Sequence, residues 1–192
     1  MKELLNIYNE DLKEIGIMSR EEIHKKGLKH KVVHCWIIER DKNDTLIYFQ
    51  QRSDNKADFP GMYDIACAGH IDAGEETKNA MIRELKEEIG LNVSRNDLKY
   101  IGRKFETLEK NGFWDNEICE MYILEVNKNT IFTLGEEVEN IVKVPFKDYE
   151  RWINGELKIL IATSINYNRK VEIHDENICP HIKEYNEQIF QL

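Results

Sequence analysis

The stretch from Gly69 to Leu91, GHIDAGEETKNAMIRELKEEIGL, carries the strongest pattern in the chain. Its apolar residues recur at three- to four-residue spacing, at Ala80, Met81, Leu85 and Ile89. That period predicts a helix over Thr77–Ile89 with one buried face. Gly90 follows directly, at the position where a left-handed glycine commonly ends a helix.

The same helix carries three glutamates, Glu84, Glu87 and Glu88, within an arc of about 100°. Like charges at this spacing repel each other weakly. A divalent cation that prefers oxygen ligands removes the repulsion, and Mg²⁺ needs few carboxylates because it keeps water and substrate phosphate in its shell. The plainer alternative is an exposed helix face rich in Glu and Lys, which is the commoner use of such residues.

The wider spacing resembles the Nudix box, which runs Gly, five residues, Glu, seven residues, Arg-Glu-aliphatic-any-Glu-Glu-any-Gly-aliphatic. Every fixed position is present: Gly69, Glu75, Arg83, Glu84, Leu85, Glu87, Glu88, Gly90 and Leu91. The resemblance implies a metal-dependent hydrolase that cleaves a diphosphate linked to another moiety. It also implies an α/β (α+β) fold, a Nudix-type α/β/α sandwich with a mixed β-sheet and the box as a loop and helix.

The resemblance assigns roles within the box. The implied catalytic residues are Glu75, Arg83, Glu84, Glu87 and Glu88. The three helix glutamates and the Gly69 carbonyl would bind Mg²⁺ or Mn²⁺, while Arg83 and Glu75 would hold the loop against the helix. A metal that bridges phosphate oxygens and activates water is what an inert diphosphate bond needs. The general base stays open between the box and three later glutamates, Glu106, Glu136 and Glu137.

A second resemblance, over about residues 20–126, is to isopentenyl diphosphate isomerase and the Nudix hydrolases most similar to it. The positions that match the isomerase's divalent-metal site are His24, His30, His70, Asp115 and Glu117. Arg52 and Lys56 match basic residues that contact the substrate diphosphate, because Arg forks phosphate oxygens and Lys acts as a point charge. Taken singly, such histidines are more often core or surface residues, and basic loop residues usually face solvent.

Two departures favour hydrolysis over isomerisation. The isomerase has its catalytic cysteine directly before the Gly-His pair, where this chain has Ala68, and Cys67 comes one residue earlier. Because a one-residue shift turns a strand side chain to the opposite face, we expect Cys67 in the core. The box is also intact, whereas isomerases tend to lose parts of it.

The predicted function is therefore divalent-metal-dependent hydrolysis of a diphosphate bond in a nucleoside diphosphate-type or related small molecule. The first alternative is an isomerase-like enzyme. The second is a non-catalytic Nudix-fold binding module, which would be expected to lose box glutamates or to gain a DNA-binding domain.

Composition limits the expected partners and the expected cellular location of the protein. The 36 acidic and 27 basic residues give a formal charge of −9, which weighs against nucleic acid or an anionic membrane as the partner. No apolar run is long enough to span a bilayer. Because the start of the chain lacks a signal-peptide pattern and the four cysteines are scattered, we expect a cytoplasmic protein. The expected partner is a small-molecule diphosphate, and a homodimer is compatible with the resemblance.

We expect one Nudix-like domain over 1–192, with a polar arm to about residue 30, a core over about 30–150 and a helical extension over 151–192. The predicted strands are Val32–Glu39, Leu46–Gln51, Tyr63–Ile71, Leu98–Leu108, Glu117–Val126 and Val138–Val144, the last being the final strand. Turns are predicted at 41–44 and at Asn111–Gly112. The predicted helices besides the box are Arg20–Lys26, Lys147–Asn154 and Pro180–Phe190.

Overall fold

The computed structural model describes residues 2–41, 44–56, 58–110 and 113–191. Its strands are β1 Leu4–Tyr8, β2 Glu14–Ser19, β3 His30–Asp41, β4 Asp44–Arg52, β5 Tyr63–Ile65, β6 Cys67–His70, β7 Leu98–Lys110, β8 Phe113–Val126, β9 Val138–Pro145, β10 Ile159–Ser164 and β11 Lys170–His174. Its helices are α1 Arg20–Lys26, α2 Thr77–Ile89, α3 Phe146–Ile153 and α4 Lys183–Asn186, with 3₁₀ turns at Asp175–Asn177 and Glu187–Gln191. No helix in these ranges is long and apolar enough to cross a membrane.

These strands form one mixed sheet in which β3 is central. Seven of them follow in the order β11, β10, β9, β4, β3, β1, β2. Strand β3 also pairs with β6 in antiparallel and with β8 in parallel fashion. The antiparallel pairs β3–β4 and β7–β8 agree with the sequence prediction. Of the predicted turns, Lys42, Asn43, Asn111 and Gly112 lie outside the described residues.

Side chains of β3 alternate between two cores, because successive residues of a strand point to opposite faces. Val33 and Cys35 pack on the side of helix α2. Trp36 packs on the other side, with Tyr149 of α3 and Tyr185 of α4. Helices thus cover both faces of the sheet, which confirms the predicted α/β/α sandwich of the α+β class.

Helix α2 begins and ends where the sequence pattern predicts. Its buried residues are Ala80, Met81, Leu85, Glu88 and Ile89. At its end Gly90 adopts φ +72°, and its N–H donates to the carbonyls of Leu85 and Lys86. A Cβ at Gly90 would lie 2.6 Å from the Cβ of Thr133, so both the backbone conformation and the available space require glycine.

The predicted N-terminal arm is part of the sheet, which corrects the sequence analysis. Strands β1 and β2 form an antiparallel hairpin, and Ile7 of β1 pairs with His30 of β3. Leu5, Ile7 and Ile23 form a small core beneath the hairpin. The short helix predicted at Arg20–Lys26 is confirmed as α1. The hairpin escaped prediction because two buried residues in a polar stretch give only a weak period-2 signal.

The predicted helical extension over 151–192 is largely wrong. Strands β10 and β11 form an antiparallel hairpin, and β10 pairs with β9, so β9 is not the last strand. The helix predicted at Pro180–Phe190 is reduced to α4 and a 3₁₀ turn, whereas the helix predicted at Lys147–Asn154 is found as α3. The strand predicted at Tyr63–Ile71 is divided into β5 and β6. Buried Leu160 and Ala162 alternate with exposed neighbours in β10, as strand side chains do.

Candidate active site

A cavity of about 290 Å³ is lined by residues that are far apart in the sequence. The box contributes Gly69, His70, Arg83, Glu84 and Glu87. The strands contribute Val32, His34, Arg52, Asp64, Asp115 and Glu117, among others. The loops and the C-terminal segment contribute Lys56, Asp58, Phe59, Glu137, Cys179 and His181. Charged and polar side chains dominate this wall, so the cavity suits a polar ligand.

Arg83 connects the loop of the box to its helix, as the sequence analysis expects. Its Nε and Nη2 donate to the two carboxylate oxygens of Glu75 at 3.1 and 2.9 Å, and Nη2 also donates to the His70 carbonyl at 3.0 Å. Nη1 donates to Glu84 at 2.6 Å and to Glu87 at 3.2 Å. One guanidinium is therefore shared among three carboxylates.

The backbone at Gly69 comes close to the box helix. A Cβ at this position would lie 2.1 Å from the Glu84 carboxylate carbon, so only glycine admits the contact. Burial raises the pKa of Glu84 to about 8; Arg83 opposes this shift, and the neighbouring Glu88 and Glu87 add to it. A divalent cation beside Glu84 would stabilise the ionised carboxylate that burial disfavours.

The other two box glutamates differ in exposure. The Glu87 carboxylate is mostly exposed and lines the cavity rim. Glu88 is buried and is not among the lining residues; its Oε2 accepts hydrogen bonds from the Ala68 N–H at 3.2 Å and Gln50 Nε2 at 3.4 Å. Burial raises the pKa of Glu88 to about 7. The three predicted ligands thus differ in burial: Glu87 is mostly exposed, Glu84 is largely buried and Glu88 is buried most.

Three of the predicted histidines meet beside the cavity, and one of them, His70, lines it. The ring centroids of His24, His30 and His70 are 5.0 to 5.4 Å apart, and one nitrogen from each lies within 4.8 Å of the others. Asp115 Oδ1 is 3.4 Å from Nε2 of both His24 and His30. Burial lowers the pKa of His70 to about 4, so this ring is neutral, the form that ligates metal.

The unsatisfied atoms of this cluster provide a test for a metal. Nε2 of His30, Nε2 of His70 and Oδ1 of Asp115 are buried and form no hydrogen bond with any part of the chain that the structure describes. Buried polar atoms without partners are costly, and a cation would satisfy them together. A set of imidazole nitrogens and a carboxylate suits a divalent transition metal, whereas the box oxygens suit Mg²⁺ or Mn²⁺. The residues therefore fit a divalent cation.

Glu117 lies next to this cluster and also lines the cavity. Its carboxylate, one nitrogen of His30 and one oxygen of Asp115 all lie within 4.8 Å of one another. Burial, together with the nearby Asp115 and Glu106, raises the pKa of Glu117 well above its usual range. The structure brings together all five residues that the second resemblance assigns to a metal site.

Arg52 and Lys56, the two predicted diphosphate-binding residues, are each paired with a carboxylate. Arg52 Nε and Nη2 donate to the Asp58 carbonyl at 3.1 and 2.9 Å, and Nη1 donates to Asp64 at 3.4 Å. Lys56 forms an ion pair with Glu137. Both cations line the cavity, as a role in binding diphosphate requires.

The geometry separates the three later glutamates considered as general bases. Glu137 lines the cavity, and Glu136 is exposed away from it. Glu106 is buried, and both of its carboxylate oxygens accept hydrogen bonds from the C-terminal segment. Among these three, Glu137 is the carboxylate that can reach a water molecule in the cavity.

The sequence analysis missed several lining residues, among them Glu3, His34, Asp64 and His181. The period of β3 could have found His34, because Val32 and His34 follow His30 on the same strand face. Asp64 was visible as a charge inside an apolar strand. Neither Glu3 nor His181 has a local signal, since each reaches the cavity from a chain end.

Cys67 packs in the core on the side of α2 and is fully buried, whereas Ala68 lines the cavity. Burial raises the pKa of the Cys67 thiol well above its ordinary value, so it remains protonated. The sequence analysis expected this orientation from the one-residue shift.

A family model described as the NUDIX domain matches residues 28–162. An uncharacterized Nudix hydrolase of Clostridium acetobutylicum is 35% identical over 172 residues, which cover 88% of this chain and 82% of the relative. An isopentenyl-diphosphate Delta-isomerase of Citrobacter koseri is 27% identical over 112 residues, 58% of this chain and 60% of the isomerase.

Solved structures share the fold. The crystal structure of a MutT/nudix family protein from Enterococcus faecalis superposes with a TM-score of 0.58 at 12% sequence identity. The match covers 84% of this chain and 60% of that chain. The chain thus spans about three fifths of the length of this structure and of the isomerase.

Proposed function

The chain belongs to the Nudix family of hydrolases, and from this premise we propose that it hydrolyses a diphosphate bond in a small polar molecule with the help of a divalent metal. Nucleoside diphosphates and related compounds are the proposed substrate class. The proposed metal is Mg²⁺ or Mn²⁺, with Glu84, Glu87, Glu88 and the Gly69 carbonyl as its box ligands.

One observation carries the proposal: a single cavity is lined by two box carboxylates, by His70 and Asp115, and by the cations Arg52 and Lys56. Glu84 and Glu87 belong to the box helix, whereas Arg52 and Lys56 come from β4 and the loop after it. Asp115 lies 3.4 Å from Nε2 of both His24 and His30, so the histidine cluster adjoins the cavity. A diphosphate needs positive partners on several sides at once, and this arrangement provides them from the chain and from a bound cation.

The chain's own residues would bind and orient the diphosphate and take a proton from the attacking water. A divalent metal, when bound, acts as a Lewis acid on a phosphate oxygen and lowers the pKa of bound water. Arg52 and Lys56 would hold the diphosphate oxygens, and Arg83 would keep Glu84 aimed at Gly69. The proton of the attacking water would pass to one of the carboxylates that line the cavity, Glu84, Glu87 or Glu137.

Isomerisation of isopentenyl diphosphate is the second candidate, favoured by the likeness to Delta-isomerases. The position of Cys67 speaks against it, because a buried thiol on the α2 side cannot reach an allyl group in the cavity. The charged side chains of Asp64 and His181 also line the cavity, which makes it a poor environment for a hydrocarbon chain. Both observations favour a polar substrate.

A panel of nucleoside diphosphates, dinucleotides, nucleotide sugars and isopentenyl diphosphate, assayed with Mg²⁺ or Mn²⁺, tests the proposal. We expect metal-dependent release of phosphate or of a nucleoside monophosphate from at least one polar member. Isopentenyl diphosphate should show no isomerisation by NMR. Isomerisation without hydrolysis of any member would overturn the proposal, and Cys67→Ala should leave hydrolysis unchanged within about twofold.

A further inference from the structure

The last part of the chain builds one wall of the cavity. The N–H of Cys179 donates to the Tyr63 carbonyl at 2.8 Å, and Ile178 lies beside Tyr63 in a parallel bridge. This contact places the segment after Ile178 along β5. Cys179 and His181 then face the cavity.

His181 is held by two carboxylates from different strands. Its Nε2 lies 2.7 Å from Asp64 Oδ1 on β5, and its Nδ1 lies 2.7 Å from Glu106 Oε2 on β7. The ring stacks on Tyr185, with centroids 4.1 Å apart and planes 9° from parallel. Since both ring nitrogens face an acceptor, the geometry requires an imidazolium that donates twice. We call Asp64, Glu106 and His181 the C-terminal triad.

The charge of the imidazolium is consistent with its surroundings. Burial alone would lower the pKa of His181, but the charges and hydrogen bonds of Asp64 and Glu106 outweigh it and raise the pKa to about 10. Without His181, the buried carboxylates of Asp64 and Glu106 would lose the cation that they share, and unpaired buried charge is strongly destabilising.

Asp64 links the C-terminal triad to Arg52, one of the two proposed diphosphate-binding residues. Its Oδ1 accepts from His181 and from the Ile65 N–H, at 2.7 Å each, and its Oδ2 accepts from Arg52 Nη1 at 3.4 Å. The negative charge of Asp64 is thereby divided between an imidazolium and a guanidinium. If His181 is removed, Arg52 becomes the sole cation bonded to Asp64 among the described side chains.

We propose that His181 is a positioning residue: by neutralising Asp64 from the far side, it leaves the Arg52 guanidinium available for the substrate diphosphate. The proposal rests on the function proposed above, in which Arg52 binds diphosphate oxygens. It gives the segment after β11 a defined role in substrate binding, although no box residue lies in it.

The predicted effect falls on binding. Arg52 contacts the diphosphate in the ground state and in the transition state alike, and loss of such uniform binding raises KM without lowering kcat. In His181→Gln, the neutral amide leaves the full charge of Asp64 to Arg52. We expect KM to rise about tenfold and kcat to stay within about threefold.

A double-mutant cycle with Arg52→Gln tests the route of the effect. If His181 acts through Arg52, adding His181→Gln to Arg52→Gln should change KM less than about twofold, because coupled residues are not additive. The same cycle is measured by calorimetry with methylenediphosphonate and Mn²⁺, which reports diphosphate binding without turnover. His181→Lys, which restores a positive charge beside Asp64, should bring KM back to within about threefold of the wild type.

His174→Gln is the matched control, because it makes the same change in a histidine of β11 that does not line the cavity. If His181→Gln does not fold, Asp64→Asn takes its place in the cycle with the opposite expectation: KM should not rise, because the carboxylate that would engage Arg52 is gone, and a rise of about tenfold would overturn the proposal. In His181→Gln, an unchanged KM with a lowered Tm would overturn the positioning role, as would full additivity with Arg52→Gln. A wild type that turns over substrate leaves the proposed function standing in both cases; one that neither hydrolyses a diphosphate nor binds methylenediphosphonate overturns both proposals.

Discussion

Two groups of buried carboxylates lie around the same cavity and are neutralised in opposite ways. On the box helix, burial raises the pKa of Glu84 to about 8 and that of Glu88 to about 7. In the C-terminal triad, burial also raises the pKa of Asp64, but His181 and Arg52 outweigh it and hold the pKa well below its usual range.

The difference lies in where the cation comes from. Within the triad the imidazolium belongs to the chain, so the charges are balanced whether or not a ligand is present. On the box helix one guanidinium serves three carboxylates, and Glu88 is buried without a cation bonded to it among the described residues. Buried carboxylates that lack a fixed partner are poised to take one from solution. The carboxylates of the box helix therefore favour binding of an exchangeable metal ion. The C-terminal triad instead carries its own cation and needs no metal.

Replacing one carboxylate of each group by its neutral amide should have opposite effects on the stability of the metal-free protein. We expect Glu84→Gln to reduce turnover at least about 100-fold, because it removes a proposed metal ligand. Its metal-free form should be as stable as the wild type or more so, since a neutral amide replaces a carboxylate whose ionisation is disfavoured. Asp64→Asn should lower Tm by several degrees, because it leaves His181 with half of its counter-charge. Turnover and thermal unfolding in EDTA measure the two effects.

The control is Glu150→Gln, an exposed glutamate on α3 that should change neither turnover nor Tm. If Glu84→Gln destabilised the metal-free protein as much as Asp64→Asn, the two groups would be electrostatically alike and the comparison would fail.

The two groups should also differ in how they respond to added Mn²⁺, which a thermal shift measures. A cation that binds only the folded chain stabilises it by about 2.7 kcal/mol at 100 times its Kd. For a chain of this length that is a rise in Tm of about 5–10 °C. The rise should shrink in Glu84→Gln and in His30→Gln, and persist in His181→Gln. An equal rise in all four proteins would mean that the metal binds elsewhere.

The box and its helix could be predicted from the sequence because their signal is local. The period of α2, its glycine cap and the spacing of Glu75, Arg83 and Glu84 all lie within 23 residues of one another, and the structure reproduces each element. The histidine cluster was also predictable, although only through resemblance. No periodicity brings His24, His30 and His70 to one point.

The triad could not be predicted, because its contacts depend on the path of the whole chain. Asp64 and His181 are 117 positions apart, and Glu106 and His181 are 75 apart. The segment that carries His181 was expected to be a helix, whereas a hairpin and a bridge to β5 set its course. Such pairings follow from the tertiary structure, which local propensity does not encode.

The smallest expected effect is a pH dependence that belongs to the triad alone. The pKa of His181 is raised from 6.5 to about 10, so the stability gained from its proton is fully present below pH 6.5, declines as pH rises, and is lost above pH 10. The difference in Tm between wild type and His181→Gln should therefore be largest near pH 6 and shrink toward pH 10. The box glutamates are present in both proteins, so their own titration cancels in this difference. A difference that stays constant from pH 6 to 10 would show that the C-terminal triad does not carry its own cation. Ring ¹⁵N shifts that report a neutral His181 at pH 8 would show the same.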